Sequence, residues 1–358
     1  MKILHVVGAR PNFMKLAPCM RAIARLGGTT QLIVHTGQHY DEAMSESFFR
    51  DLEIPPPDLN LEVGSASHAV QTARIMERFE PVVLEERPDW VVVYGDVNST
   101  AAAALVCSKL ATKLAHVEAG LRSRDRTMPE EINRLVTDRL ADLLLIPSHD
   151  AAVNLRAEGV EPEKIVFVGN VMIDTLMHAL PAARATGFRE SLGVSEGEYA
   201  LVTMHRPSNV DDPPRLSRIS AALGAIAGHM PVIFPMHPRT RTRLTSADVA
   251  ALGAVQVMDP TPYHATLDLT AGARVVITDS GGLQEETTAL GVPCLTLRDN
   301  TERPITITEG TNQLVRDLDR LTPLALSARR NGSVNPPEGW EGKAGERVAE
   351  ALKAGIRN

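Results

Sequence analysis

The chain has three cysteines, Cys19, Cys107 and Cys294. They are odd in number, far apart and set in apolar or helical surroundings. That argues against a disulfide framework or a cysteine zinc site, and points to reduced core thiols. An excess of positive charge is also missing: the formal net charge is −7, so neither nucleic acid nor an anionic membrane is an expected partner. Hydrophobic residues make up 44%, yet no apolar run approaches the length of a bilayer span. The opening Met1-Lys2-Ile3-Leu4-His5-Val6-Val7 enters a strand with no cleavage pattern, so a soluble cytoplasmic protein is expected. There is no internal repeat and no low-complexity tract. The dinucleotide fingerprint G-x-G-x-x-G is absent too; the first strand-to-helix turn reads Gly8-Ala9-Arg10-Pro11-Asn12-Phe13-Met14-Lys15.

What is present is a regular alternation of strand-like and helical stretches over 358 residues, comfortable for two α/β domains. Strands are expected at 3–7, 31–35, 90–94, 115–117, 143–146 and 165–168. The rhythm restarts with 200–204, 232–235, 255–258, 275–278 and 294–297. Such alternation makes parallel sheets covered on both faces, here two Rossmann-like domains facing each other across a cleft at the strand ends. The boundary is expected near Gly169: residues 1–168 form the first domain and 169–342 the second. A terminal amphipathic helix within 343–358 is expected to pack back on the first.

The strand ends carry the chemistry. Val275-Val276-Ile277-Thr278 reads as a buried strand, followed by the N-cap types Asp279 and Ser280 and by Gly281-Gly282 entering a helix. A glycine-rich helix start offers N–H groups and a positive dipole end to a phosphate. Ser280 can donate to a phosphate oxygen, and Glu286, one turn on, can accept two ribose hydroxyls. On these residues alone a plain capped turn explains the pattern equally well.

Asp96 follows one strand and Glu118 another, where a glutamate is a poor cap and a poor strand residue. Glu130 and Glu131 open a helix behind Pro129, and the helix dipole gives Glu131 a sufficient structural reason. Asp96, Glu118 and Glu130 would then crowd one side of one sheet, and mutual repulsion should raise at least one pKa. The second half answers with donors: His205-Arg206, His237 and Arg303, with Tyr263 on a turn that could face a base. Arg10 and Lys15 put positive charge at the first helix start. The run His35-Thr36-Gly37-Gln38-His39-Tyr40-Asp41 needs no more than a helix start to explain it, and Arg74 is expected on an exposed helix face.

Taken in order, Gly8-Ala9-Arg10-Pro11, Gly95-Asp96, His116-Val117-Glu118-Ala119-Gly120-Leu121-Arg122, Pro129-Glu130-Glu131, Gly169-Asn170, His205-Arg206, Asp279-Ser280-Gly281-Gly282-Leu283-Gln284-Glu285-Glu286 and Thr301-Glu302-Arg303-Pro304 span nearly the whole chain. Together they resemble the non-hydrolysing bacterial UDP-N-acetylglucosamine 2-epimerases. The resemblance implies the glycosyltransferase-B architecture, a homodimer, and interconversion of UDP-N-acetylglucosamine and UDP-N-acetylmannosamine for surface polysaccharides. It implies anti elimination of UDP across C1–C2 to 2-acetamidoglucal, then re-addition after the proton returns on the other face.

By motif matching, Asp96, Glu118, Glu130 and His205 fall on the family's catalytic residues, and Arg10, Lys15, Ser280, Gly281, Gly282, Glu286 and Arg303 on nucleotide contacts, with Tyr263 on the base side. Gln38, His39, Arg74, Arg206 and His237 match a second, activating substrate site, although Asp41 stands where glutamine is usual. Ala9, Asn12, Thr261 and Thr266 also depart from the commonest pattern. No metal and no redox cofactor is expected, since no hydride leaves the enzyme. The alternatives are the same epimerisation on a modified sugar such as a diacetamido uronic acid, a glycosyltransferase of the same architecture, and a silent nucleotide-sugar binder.

Overall fold

The structure, a computed structural model, describes residues 1–37, 49, 51–330 and 335–355, with the backbone alone of Arg10. It divides into two compact units: Met1–His178 with Glu338–Asn358, and Ala179–Pro337 between them.

The first unit is built on a seven-stranded sheet in the order β3-β2-β1-β4-β5-β6-β7. Its strands are β1 (Lys2–Val7), β2 (Thr30–His35), β3 (Leu59–Asn60), β4 (Trp90–Tyr94), β5 (Leu114–Val117), β6 (Leu143–Ile146) and β7 (Ile165–Phe167). All pairings are parallel. Every residue of β4, Trp90-Val91-Val92-Val93-Tyr94, is buried, as both faces of a helix-covered parallel sheet require. On the His68–Glu86 helix, Gln71, Ile75, Phe79 and Val83 fall four apart and form one buried stripe. Ala101 to Ala104 on the Asn98–Leu110 helix are small and fully covered, letting the His68–Glu86 and Pro129–Leu140 helices come close.

The second unit carries a six-stranded parallel sheet, β10-β9-β8-β11-β12-β13. Its strands are β8 (Ala200–Thr203), β9 (Val232–Pro235), β10 (Gln256–Met258), β11 (Val275–Thr278), β12 (Cys294–Thr296) and β13 (Asn312–Leu314). Leu216, Ile219, Leu223 and Ile226 make the buried stripe of the Pro213–Ala227 helix. The short edge strands β3 and β13 were not anticipated; two or three residues carry no readable alternation.

Each sheet reverses its strand order once, between β1 and β4 in the first unit and between β8 and β11 in the second. At such a reversal neighbouring loops diverge and leave a crevice beyond the carboxyl ends of the strands, where open α/β sheets bind ligands. The units divide after His178 rather than at Gly169. The reason lies in the Val171–Ala185 helix, whose first half belongs to the first unit. Asp174 accepts the amides of Ala344 and Gly345 at 3.1 and 2.7 Å, and the Thr175 hydroxyl donates to the Met14 carbonyl at 2.5 Å. The terminal helix, Ala344–Ala354, lies on the Arg10–Arg25 helix. A Cβ on Gly345 would sit 2.7 Å from the Pro18 carbonyl oxygen, so glycine permits that approach. Trp90 Nε1 donates to the Leu352 carbonyl at 3.1 Å. The three cysteines are free and buried, and no helix among the described residues is long and apolar enough to cross a membrane.

Candidate active site

In the first unit the turn after β1 is fixed by Asn12. Its Oδ1 accepts the Gly8 and Ala9 amides at 3.0 and 3.1 Å, while its Nδ2 donates to the Tyr94 carbonyl at 2.7 Å. One buried side chain thus ties the loops after β1 and β4 together. Lys15, one turn into the helix, is buried and forms an ion pair with Glu118. Gly95, φ +65°, leaves room for that ammonium: a Cβ there would lie 2.6 Å from Lys15 Nζ and 3.4 Å from Glu118 Oε2.

Glu118 itself has φ +73°, a left-handed conformation that a non-glycine residue adopts at a cost of roughly 1–2 kcal/mol. Its amide and that of Ala119 both donate to the Leu145 carbonyl, at 3.0 and 3.2 Å, which turns the chain sharply at the end of β5 and delivers the carboxylate to Lys15.

Asp96 pairs with Arg134, which also donates to Glu131 from Nη2 at 2.8 Å and from Nε at 3.1 Å. Glu131 is buried and accepts the Ser123 amide and hydroxyl and the Arg124 amide at 2.9 to 3.0 Å. Burial alone would raise its pKa; the Ser123 amide and Arg134 outweigh burial and hold it below the ordinary value. Its buried task is loop anchorage, more specific than the dipole reason the sequence offered. Glu130, one residue before it, is exposed in the first turn of the Pro129–Leu140 helix. The expected crowding of three carboxylates is therefore relieved at two of them by buried cations, Lys15 for Glu118 and Arg134 for Asp96.

The second unit offers donors. Asp279, expected as a cap, turns its fully buried carboxylate to the loop after β8. There it accepts the His205 amide at 3.1 Å, the Arg206 amide at 2.9 Å and Asn209 Nδ2 at 3.1 Å. His205 Nδ1 lies 3.2 Å from Asp279 Oδ1. The imidazole is half exposed, and its pKa is lowered by burial despite the Asp279 charge, with His237 and Arg206 adding to the lowering. With Nδ1–H directed at Asp279, a neutral ring presents Nε2 as an acceptor that can take up a proton.

The helix Gly281–Leu290 begins at Ser280, whose side chain makes no capping bond. At Gly281 a Cβ would crowd the ends of two side chains, Arg303 Nη1 and Glu302 Oε1, at 2.8 Å each. Gly282 is different. Its Cβ would meet only Ser280 Oγ, at 3.9 Å, so among the described residues no neighbour explains the missing side chain.

Three guanidiniums surround Glu302: Arg303 at 2.5 Å, Arg298 at 2.8 Å and Arg206 at 3.9 Å. Burial would raise the Glu302 pKa, but Arg303 and Arg298 hold it well below the carboxylate range. Arg303 Nε also lies 3.0 Å from Glu285. Burial, and then its neighbour Arg298, push the Arg206 pKa below its ordinary value. Glu286 is buried, and burial together with Glu285 pushes its pKa up to about 8. Burial, and then Glu286, push the Tyr263 phenol well above its ordinary value. In the same loop Thr261 and Thr266 join hydroxyls at 2.7 Å.

A family profile described as UDP-N-acetylglucosamine 2-epimerase matches residues 21–353. The chain belongs to that family. Family members are isomerases whose two Rossmann-like units are those of the glycosyltransferase-B class. One relative, a UDP-N-acetylglucosamine 2-epimerase from Methanocaldococcus jannaschii, is 42% identical over 99% of this chain and 100% of its own length. A UDP-2,3-diacetamido-2,3-dideoxy-D-glucuronate 2-epimerase from Pseudomonas aeruginosa is also 42% identical, over 98% of this chain and 99% of its own. The structure of the M. jannaschii enzyme in complex with UDP-GlcNAc and UDP is similar, with a TM-score of 0.88 and 40% identity over 99% of this chain and 100% of that one.

Among the residues singled out from sequence, Lys15, Asp96 and Glu118 share the first unit's crevice, while His205, Arg206, Ser280, Gly281, Gly282 and Arg303 share the second's. Arg74 and His237 are exposed; Gln38, His39 and Asp41 lie outside the described residues, as does the Arg10 side chain. Sequence reasoning missed Asn12, Arg134 and Asp279 as parts of the site. Asp279 had a readable signal, an acid directly after a strand of wholly apolar and β-branched residues, and it was read as a cap.

Proposed function

We propose that the protein is a UDP-N-acetylglucosamine 2-epimerase that eliminates UDP to give 2-acetamidoglucal and adds it back on the other C2 configuration. Gly282 is the observation that carries the reading. A glycine with open space above it, beside an uncapped serine and a cluster of guanidiniums, fits a diphosphate lying on a helix start.

Charge leaving with UDP would be met by Arg303, Arg206, the Ser280 hydroxyl and the Gly281 and Gly282 amides. His205, whose Nδ1 faces Asp279, would take up at Nε2 the proton that a dianionic leaving group favours. Glu286 and Tyr263 are assigned to the nucleoside end. Asp96, Glu118 and Glu130 would serve C2, one accepting the proton and another returning it, with Lys15 and Arg134 orienting the first two. A helix start contributes only about 0.3–2 kcal/mol toward an anion, so the arginines are needed as well. Arg74, Arg206 and His237 are kept as candidates for a regulatory substrate contact. A homodimer acting in the cytoplasm belongs to the same proposal and is checked by light scattering and cell fractionation.

The test is incubation with UDP-N-acetylglucosamine in D₂O without acceptor, followed by NMR at C2. The expected result is a UDP-N-acetylmannosamine product carrying deuterium at C2; an unchanged substrate would refute the reading. The P. aeruginosa relative supports a second substrate, the diacetamido uronic acid analogue, and kcat/KM for the two sugars decides between them.

A further inference from the structure

Beneath the first unit's crevice lies a buried group to which the proposed chemistry assigns no task. His116, on β5, is wholly buried. Its Nδ1 lies 2.6 Å from Asp138 Oδ1, and its Nε2 lies 2.8 Å from the Gly95 carbonyl oxygen. A carbonyl can only accept, so Nε2 must carry a proton. Asp138 Oδ2 meanwhile accepts the Gly120 amide at 3.0 Å and Arg122 Nη1 at 2.7 Å, the surroundings of an ionised carboxylate, so Nδ1 must carry one too. Burial works against the charged form of Asp138, but His116 and Arg122 together hold its pKa below the ordinary value. Arg122 is balanced in turn by Glu158, at 2.7 and 2.8 Å.

The position of this pair is what gives it a consequence. Gly95 immediately precedes Asp96, Gly120 lies two residues beyond Glu118, and Asp138 stands on the helix that carries Glu130 and Arg134. A single imidazole and a single carboxylate therefore register the three segments bearing the acidic residues.

We propose that His116, protonated on both ring nitrogens, and Asp138 form a buried ion pair that positions Asp96, Glu118 and Glu130 for proton transfer at C2. The inference rests on the epimerase reading for its kinetic consequence, but not for the protonation of the ring. Both residues are positioning residues: neither reaches the crevice surface. A displacement near 1 Å of a reacting group lowers a rate about 100-fold.

The experiment uses the full chain labelled with ¹⁵N-histidine. At neutral pH one imidazole should show a proton on both ring nitrogens, and that signal should vanish in His116→Gln. In Asp138→Asn and His116→Gln, kcat should fall about 100-fold, with KM and UDP affinity little changed. A merely structural role would instead lower stability and UDP binding together. A His116 ring found with a single proton overturns the proposal, and so does a folded variant with near-normal kcat. If either variant fails to fold, the spectrum of the unsubstituted protein still decides. An unsubstituted protein that shows the doubly protonated ring yet does not exchange C2 would refute the epimerase reading and leave the ion pair standing.

Discussion

The two units share one strand order and fill its crevice in opposite ways. In the first, acids come forward and a buried cation stands behind two of them: Lys15 pairs with Glu118, and Arg134 with Asp96 as well as Glu131. In the second, cations come forward and the acids lie behind: Glu302 and Glu285 hold Arg303, and Asp279 holds the His205 loop from below. The backbone differs accordingly. The first unit bends a glutamate into the left-handed region to present a carboxylate, whereas the second uses glycines to let an anion come close. A common fold thus fixes where the ligand goes, and the strand-end residues alone decide what is done to it.

Breaking that division should separate turnover from binding. The largest effect is expected from Glu118→Gln and Asp96→Asn, which should lower kcat by roughly 10²–10⁴ while UDP affinity stays put, read by NMR conversion and calorimetry. An unaffected rate in Glu118→Gln would remove the first unit from the chemistry. On the other side, Arg303→Ala should weaken UDP by about 1.5–3 kcal/mol, the worth of a charge-assisted hydrogen bond. Gly282→Ala should weaken UDP at unchanged melting temperature, because a Cβ there meets no atom of the described residues closer than 3.9 Å; a stability loss there would mean that packing chose the glycine.

Away from the crevices, Gly345→Leu should cost about 1–3 kcal/mol in denaturant unfolding by forcing the terminal helix off Pro18. The smallest and most informative effect is one of pH. Glu286 has a folded pKa of about 8 against an ordinary 4.5. Between those values the folded protein holds a proton that the unfolded chain gives up. Its contribution is therefore fully present below the ordinary carboxyl value and lost as pH rises through about 8. Glu286→Gln should flatten that part of the stability curve. UDP binding near neutral pH should release a proton as the ribose hydroxyls find their acceptor, and the release should disappear in the variant; calorimetry in buffers of different ionisation enthalpy measures it.

Much of this was legible beforehand. Runs such as Val91-Val92-Val93 and Val275-Val276-Ile277 can only be buried strands, and their spacing announces parallel sheets. Asp96, Glu118 and Ser280 were singled out because each stands where a strand stops. Arg134 and Asn12 were not, since both sit inside helices and act across to another loop, a relation that no local pattern encodes. The pairing of Lys15 with Glu118 joins residues about a hundred positions apart and emerges only once β1, β4 and β5 lie side by side. The first half of the Val171–Ala185 helix stays with the first unit because Asp174 finds its amide partners at Ala344 and Gly345, again far along the chain.

The covering of Pro18 and Trp90 by residues 344–354 has a consequence for biosynthesis. The opening half of the polypeptide emerges from the ribosome early, yet one face of it stays uncovered until translation has passed the entire intervening unit. Of the two units, the one begun earlier is thus the one completed later, and a chaperone attending the nascent chain should recognise the bare flank of the Arg10–Arg25 helix.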